Sequence, residues 1–190
     1  MFVIYKNEIM NKKQTLIALS ATALGTIIYN VLKPVKSDVQ AISNFDIDQY
    51  LGKWYEIARL DFYWEKNLKN VVAEYRKDTS GRIQVINKGV DITNNQLKIK
   101  TGKAKFKFPD DKNIGALKVS FFGPFYSGYH VMAIDEGYKY ALVFGDNTDY
   151  MWILSREKDI PKKVVEGFLK TAQMAGYATE NLVWTVQEDS

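Results

Sequence analysis

The stretch Gly52-Lys-Trp-Tyr-Glu-Ile-Ala-Arg59 is the first of several short segments rich in β-branched and aromatic residues. Turn residues such as Gly, Asn and Asp separate these segments at intervals of about ten residues, which is typical of an antiparallel sandwich or an up-and-down barrel. No helical period of useful length interrupts them, so a βαβ fold is disfavoured. We predict strands over residues 53–59, 71–77, 83–88, 96–101, 103–108, 116–122, 129–135, 139–144 and 150–155.

Two adjacent predicted strands carry their apolar residues in opposite phase. Leu97 and Ile99 occupy odd positions, whereas Ala104 and Phe106 occupy even positions. Because side chains alternate between the two faces of a strand, a one-residue change of phase turns the apolar set to the other face. We expect a β-bulge or bend at residues 101–102 to bring both sets back to one face.

One amphipathic helix follows the predicted strands. Apolar residues recur at three- and four-residue spacing across residues 164–172. Asp159 can cap this helix, Pro161 suits its first turn, and Gly176 is well placed to end it. A single helix after eight or nine strands indicates a helix packed on the outside of a barrel, and residues 181–186 then form a short last strand.

The net charge of this 190-residue chain is +4, and the excess lies near its start. Residues 1–36 hold five lysines and one acidic residue, which leaves 21 basic and 21 acidic residues in residues 37–190. A neutral body argues against nucleic-acid binding. The chain has no cysteine and a single histidine, His130, so disulfides, thiol chemistry and Cys- or His-rich metal sites are excluded. We expect neither a metal nor a cofactor.

An uncharged run over residues 14–32 is flanked by lysines and would span about 28 Å as a helix, close to the thickness of a bilayer core. It fits either a cleaved secretory signal or an uncleaved membrane-anchor helix. The small-x-small triplet Ala21-Thr22-Ala23 falls in the middle of the run, which favours the anchor. We therefore divide the chain into a short flank (residues 1–13), the anchor, a tether (residues 33–44) and a folded domain (residues 45–190).

Three motifs in the domain resemble the lipocalin family, and especially its bacterial subgroup, which is related to apolipoprotein D. They are the G-x-W start at Gly52 and Trp54, the stretch Thr148-Asp149-Tyr150 before a late strand, and Arg156 at the end of that strand. The resemblance implies an all-β fold: an eight-stranded antiparallel up-and-down barrel with one C-terminal helix packed outside. The N-terminal hydrophobic helix, predicted from the uncharged run over residues 14–32, precedes this domain. The resemblance also implies that the Arg156 guanidinium packs across the Trp54 ring at the closed end of the barrel.

The interior of an eight-stranded barrel is wide enough for one small ligand. In the strand that ends at Arg156, the alternation of side chains places Trp152 inside. The resemblance implies a fatty acid or lysophospholipid as the ligand, with Trp152 against it and Tyr126 near the open end. Tyr75 and Asn87 are further candidates for lining or polar contacts, and ordinary core packing is the alternative for each aromatic residue.

Such a ligand implies lipid storage, transport or repair in the bacterial cell envelope, by a binding protein rather than an enzyme. The barrel is expected on the periplasmic side of a membrane, held there by the N-terminal helix, or secreted if the leader is cleaved. A homodimer is left open. Bacterial members of the family are often attached through a lipidated cysteine, and this sequence has none.

Two other functions stay open on the sequence. A lipocalin-fold enzyme acting on a lipid or pigment epoxide would need a catalytic residue such as His130, and no G-x-S-x-G motif accompanies that histidine. A scaffold whose barrel is filled by its own side chains would bind no ligand. The five lysines within residues 98–107 are either a patch for anions or phospholipid headgroups or the solvated outer face of a strand.

Overall fold

The computed structural model describes residues 40–60 and 66–188. Within these residues the chain forms nine β-strands and two α-helices. The strands are β1 (Gly52–Leu60), β2 (Leu68–Lys77), β3 (Ile83–Asp91), β4 (Gln96–Phe106), β5 (Ala116–Phe122), β6 (Phe125–Ile134), β7 (Tyr140–Phe144), β8 (Met151–Ser155) and β9 (Leu182–Trp184). The helices are α1 (Ile47–Tyr50) and α2 (Lys162–Met174), and a 3-10 turn (Thr179–Asn181) follows α2.

The first eight strands close into a barrel, as predicted. From β2 to β8 each strand pairs antiparallel with the next along the chain, β8 pairs with β1, and β1 pairs with β2. The predicted short last strand forms as β9, and it pairs with the other part of β1. The all-β class, the eight-stranded up-and-down barrel and the helix outside it are therefore confirmed.

The two ends of the barrel are built differently. At the end where β1 begins, α1 and the residues before it cover the interior, and Phe45 and Tyr50 are buried there. We call this the closed end. The opposite end, where β1 finishes, carries the turns that join β3 to β4, β5 to β6 and β7 to β8. We call it the open end.

The folded body begins earlier than the predicted boundary at residue 45. The backbone N–H of Ile42 donates to the carbonyl of Val131 at 3.0 Å, and its own carbonyl accepts from the N–H of Gly115 at 2.9 Å. Ile42 also packs against the core inside the barrel. Backbone pairing therefore reaches Ile42, within the segment predicted as a tether over residues 33–44.

The predicted anchor helix over residues 14–32 and the flank over residues 1–13 lie outside the described residues. Among residues 40–60 and 66–188, no helix is long and apolar enough to cross a membrane. The membrane anchor therefore stays a prediction from the sequence.

Two apolar cores lie on opposite sides of the barrel wall. The inner core fills the closed half of the barrel and includes Trp54 and Leu154. The outer core lies between the wall and α2, where Phe168 and Ala172 pack against residues such as Ile153. Adjacent residues of β8 thus serve different cores, which is the alternation expected of a strand with both faces covered.

The boundaries of α2 agree with the sequence at one end and differ at the other. Gly176, with φ of 85°, follows the last turn of the helix and ends it as predicted. The predicted cap at Asp159 is wrong, because the residue before the helix is Pro161 and no side chain caps it. Asp159 instead accepts a hydrogen bond of 3.0 Å from the Ser155 hydroxyl through its backbone carbonyl.

The bulge expected at residues 101–102 is also wrong. The segments predicted as two strands form the single strand β4, which pairs with β3 from Gln96 to Ala104 without a shift of register. A shift occurs instead in β5, between Val119 and Phe122. No bulge within β4 therefore compensates for the change of apolar phase along the strand, and the apolar residues near its start face outward.

Candidate ligand-binding site

Arg156 and Trp54 seal the closed end, as the resemblance implies. The guanidinium carbon of Arg156 lies 3.8 Å from the centre of the Trp54 ring. The Trp54 indole N–H donates to the Tyr50 carbonyl at 2.8 Å. The guanidinium nitrogens donate to the backbone carbonyls of Gln49, Tyr50, Leu51, Lys53 and Tyr138. These bonds join α1, β1 and the turn between β6 and β7, so the role of Arg156 is structural.

Gly52 of the G-x-W motif and the stretch Thr148-Asp149-Tyr150 lie where the strands that position Trp54 and Arg156 begin. Gly52 has φ of 96°, and a Cβ atom there would lie 3.3 Å from a guanidinium nitrogen of Arg156. Both the backbone conformation and the close approach favour glycine. The stretch Thr148-Asp149-Tyr150 lies in the turn that leads into β8, where the N–H of Asp149 donates to the Asn147 side chain at 2.9 Å. This turn sets where β8 begins.

Three tyrosines form a floor across the middle of the barrel. The hydroxyl of Tyr129 lies 2.6 Å from that of Tyr50 and accepts a hydrogen bond of 2.7 Å from Tyr75. All three side chains are buried, with Tyr75 only 3% exposed. Burial raises the pKa of Tyr50 and Tyr129 well above the ordinary value, so both hydroxyls stay neutral. Tyr75, a predicted lining residue, thus lies in a packed, hydrogen-bonded layer.

Above this floor, inward-facing side chains are reached by solvent. Trp152 shares the inner face of β8 with Leu154 and stacks on Tyr129, with ring centres 6.4 Å apart. Ala73 and Asn87 pair across β2 and β3 on the inner face, and both are partly exposed, as is Trp152. Because these side chains point into the barrel, their exposure indicates an accessible space that they line.

Asn87 and Lys100 supply polar groups to this space. They are directly opposite one another on β3 and β4, and both are partly buried on the inner face. The Oδ1 atom of Asn87 is buried and, among the described residues, no donor reaches it. Lys100 extends its ammonium to 5.5 Å from the ring centre of Phe122, at the open end. An acceptor and a cation therefore lie side by side on the wall.

A buried ion pair in β1 was not predicted from the sequence. Arg59 is 1% exposed, and its Nη1 atom lies 2.7 Å from a carboxylate oxygen of Glu56. The hydroxyl of Thr185 donates to the same carboxylate at 2.5 Å and accepts from Arg59 at 3.2 Å. Thr185 thus adds two hydrogen bonds to the pair from the C-terminal segment, which runs beside β1.

A bulge in β1 explains why Arg59 lies inside. The register with β8 shifts between Glu56 and Ala58, so Ala58 joins Ile57 in the outer core and Arg59 comes to lie opposite Trp152. Simple alternation from the start of β1 would have turned Arg59 outward. The signal in the sequence was that Glu56 and Arg59 lie three residues apart and border apolar residues of the same strand.

Tyr126 lies near the open end, as predicted, but the structure does not bring its ring together with Trp152 inside the barrel. In β6 the inner face carries Tyr129, and Tyr126 has the opposite parity. Its ring lies on the outer face, 4.2 Å from the ammonium of Lys105 and 5.7 Å from that of Lys103. The physical reason is alternation along β6, which the resemblance alone did not resolve.

His130 also lies on the outer side of β6, away from the tyrosine floor. Its Nε2 atom is 3.4 Å from the ammonium of Lys107. Burial lowers the pKa of His130, and the nearby charge of Lys107 adds to this effect. Across residues 40–60 and 66–188, no group of three or more His, Cys, Asp or Glu side chains is arranged to hold a metal ion.

Comparisons with known proteins match this architecture. A family model described as a lipocalin-like domain matches residues 45–187. The chain is 39% identical over 166 residues to the outer membrane lipoprotein Blc of Vibrio cholerae, covering 87% of this chain and 96% of that protein. It is 35% identical to apolipoprotein D of Bos taurus over 131 residues, 64% of this chain and 66% of that one. The structure of insecticyanin from the tobacco hornworm Manduca sexta superposes with a TM-score of 0.65 at 25% identity, covering 81% and 86% of the two chains.

Proposed function

Because the chain belongs to the lipocalin family, we propose that its barrel binds a single-chain lipid, a fatty acid or a lysophospholipid, in the open half above the tyrosine floor. The observation that carries the proposal is the partial exposure of Ala73, Asn87 and Trp152, although all three face the barrel interior. A barrel packed solid along its whole length would bury them.

The acyl chain lies against the Trp152 ring in this proposal. Trp152 stacks between Tyr129 below and Tyr150 above, with ring centres 6.4 Å apart in both pairs. Burying an acyl chain against such a wall contributes about 0.8 kcal/mol per CH₂ group. This gain requires no metal, cofactor or chemical step, and we propose that the protein acts as a binding protein rather than an enzyme.

The polar end of the lipid points toward Asn87 and Lys100. The buried Oδ1 atom of Asn87 can accept a hydrogen bond from a lipid hydroxyl, and the Lys100 ammonium can pair with a carboxylate or phosphate. A buried acceptor that gains a donor recovers the cost of its desolvation. These two groups would therefore favour an anionic or hydroxylated headgroup over a plain hydrocarbon.

The protein lies in the cell envelope, with the barrel outside the cytoplasm, the location that its bacterial relatives named as outer membrane lipoproteins share. Its 190 residues contain no cysteine, the residue to which lipid is attached in many bacterial lipocalins. We therefore propose that the apolar run over residues 14–32 takes the place of the lipid anchor. Lipid storage, transport or repair at a membrane is the role that fits this arrangement.

Displacement of a fluorescent fatty acid from the 37–190 fragment tests the ligand. Oleic acid and lysophosphatidylglycerol should each displace the probe, whereas hexadecane should compete poorly. Trp152→Ala should weaken binding by at least tenfold. Trp184→Ala is the matched control, because Trp184 is 50% exposed on the outside of the wall and should leave binding unchanged.

Native mass spectrometry of the same fragment gives a second, independent measurement. A bound species with the mass of a fatty acid or lysophospholipid supports the proposal. If no lipid copurifies and the fluorescent probe does not bind, the barrel is a filled scaffold. Conversion of a lipid epoxide by the wild-type protein, but not by His130→Ala, would instead show an enzyme.

A further inference from the structure

The open end presents apolar side chains to solvent on two adjacent hairpins. Phe122 and Phe125 pair across the β5–β6 turn and are 56% and 79% exposed. On the β3–β4 hairpin, Ile92, Leu97 and Ile99 are 59%, 62% and 53% exposed. Single exposed apolar residues are ordinary on a protein surface, but five large ones at neighbouring tips form a patch that usually marks an interaction site.

Part of this patch arises because no bulge in β4 compensates for the change of phase in its apolar residues. Since β4 pairs with β3 without a bulge, Leu97 and Ile99 lie on the outer face, and Lys98 and Lys100 take the inner positions. A bulge of one residue would have turned the two apolar side chains into the barrel. The strand thus exposes the residues that it would ordinarily hide.

The β3–β4 tip is held in a fixed shape by Asp91. Its carboxylate accepts from the backbone N–H and the hydroxyl of Thr93 at 2.9 and 2.6 Å and also contacts the ammonium of Lys98. These hydrogen bonds, first among them that of Lys98, lower the pKa of Asp91 to about 2. The N–H of Ile92 donates to the Asn67 carbonyl at 2.9 Å, so Ile92 is presented on an ordered turn.

The segments that carry the patch are rich in lysine although the domain as a whole is neutral. Segments 91–105 and 118–127 contain five lysines and one carboxylate, that of Asp91. On the outer face, Lys103 and Lys105 flank the ring of Tyr126. Apolar tips bordered by lysines and an aromatic ring are the pattern of a surface that sits at the boundary between lipid headgroups and acyl chains.

We propose that the tips of the β3–β4 and β5–β6 hairpins dock the open end of the barrel onto a bilayer surface rich in anionic phospholipid. The outer lysines favour this occupant over a second copy of the chain, because like charges beside two facing patches repel each other, whereas a negative surface attracts them. The proposal does not depend on the barrel holding a lipid, since an empty barrel would dock in the same way.

The absence of cysteine makes the test direct, since one introduced cysteine carries one fluorescent probe. Full-length protein is reconstituted into vesicles, with an environment-sensitive probe at Ile92→Cys or, as the control at the closed end, at Ser80→Cys. In vesicles containing phosphatidylglycerol, the probe at residue 92 should shift to the blue and be quenched by nitroxide-labelled lipid. The probe at residue 80 should stay in water, and pure phosphatidylcholine should reduce the response at residue 92 by at least fivefold.

Two further variants locate the cause. With the probe at residue 92, Phe125→Ser and the pair Lys103→Gln with Lys105→Gln should each reduce the response at least threefold. The pair Lys112→Gln with Lys139→Gln, exposed lysines at the closed end, should leave it unchanged. The proposal would be overturned if the probe at residue 92 did not shift, or if the probes at both ends responded equally. It would also be overturned if the response appeared only at a high protein-to-lipid ratio, because that indicates contact between copies of the protein. Loss of fatty-acid binding in the separate displacement assay would leave these results unaffected.

Discussion

Glu56 and Arg59 meet inside the barrel at 2.7 Å, although they are three residues apart in a strand whose neighbouring side chains alternate between faces. The bulge between Glu56 and Ala58 makes the contact, because it returns Arg59 to the face that Glu56 occupies. Thr185 completes the cluster by donating to the carboxylate. The pair and Thr185 thus link the last residues of β1, near the open end of the barrel, to the C-terminal segment.

We expect the loss of either charge of this pair to cost more than the loss of both. Glu56→Gln or Arg59→Met alone should reduce the free energy of unfolding by about 3–5 kcal/mol, because the remaining charge is buried without its partner. The double variant should cost less than the sum of the two. Urea denaturation of all four proteins measures the coupling. Additive losses would show that the two side chains contribute independently.

The Arg156–Trp54 contact should determine stability and affect ligand binding only indirectly. Trp54→Ala should cost about 3–5 kcal/mol because it empties a fully buried site. Arg156→Ala should cost about 2–4 kcal/mol because five backbone carbonyls lose a charged donor. Thermal melting provides the measurement, with Arg156→Lys as the control that keeps the charge and loses the planar fork. Unchanged melting temperatures for both alanine variants would contradict this role.

Adding one methyl group should have opposite effects at two glycines. At Gly102 a Cβ atom would lie 2.6 Å from the Ser120 carbonyl and 2.7 Å from the Phe121 ring, so Gly102→Ala should destabilise the protein by about 1–3 kcal/mol. At Gly167, inside α2, an added Cβ atom would meet no described atom within 4 Å apart from its chain neighbours and the backbone of its own helix, and Gly167→Ala should stabilise the protein by about 0.5–1 kcal/mol. Chemical denaturation decides both, and effects of the same sign would refute the packing argument.

The tyrosine floor should make the protein sensitive to alkali. In the folded state burial holds the pKa of Tyr50 and Tyr129 above the value of about 10 that each has when unfolded. Their contribution is therefore complete below pH 10 and is lost as the pH rises further, by up to about 1.4 kcal/mol per pH unit for each tyrosine. Urea titrations between pH 8 and 11.5 measure the slope. Tyr129→Phe should reduce it, and an identical slope in this variant would count against the floor as the cause.

The sequence predicted the features that follow from periodicity and missed those that depend on pairing between strands. Alternation in β8 placed Trp152 inside, and the helical period identified α2. The bulge in β1 that brings Arg59 inside is fixed by the register with β8, which no local pattern records. The outward position of Leu97 follows from the register between β3 and β4 in the same way.

Tyr126 shows that a resemblance to a family can predict where along the barrel a residue lies without predicting which way its side chain points. Its place in the chain near the open end agreed with a ligand contact, but its parity within β6 puts the ring beside Lys105 on the outer wall. The order of strands in the sequence predicts how near a residue lies to either end of the barrel. Whether its side chain points inward or outward depends on the exact number of residues between it and the nearest bulge.

The C-terminal segment that lies beside β1 imposes an order on folding. Gln187 donates from its side chain to the carbonyls of Glu56 in β1 and Val71 in β2, bridging the two strands where they separate. One stretch of barrel wall is therefore completed by a residue that is synthesised 116 and 131 positions after the two residues it bridges. Until this segment emerges, the first strand lacks its final neighbour, and contacts so distant in sequence form slowly. We therefore expect the barrel to close only after this segment has been made, so that the chain stays open during most of its synthesis.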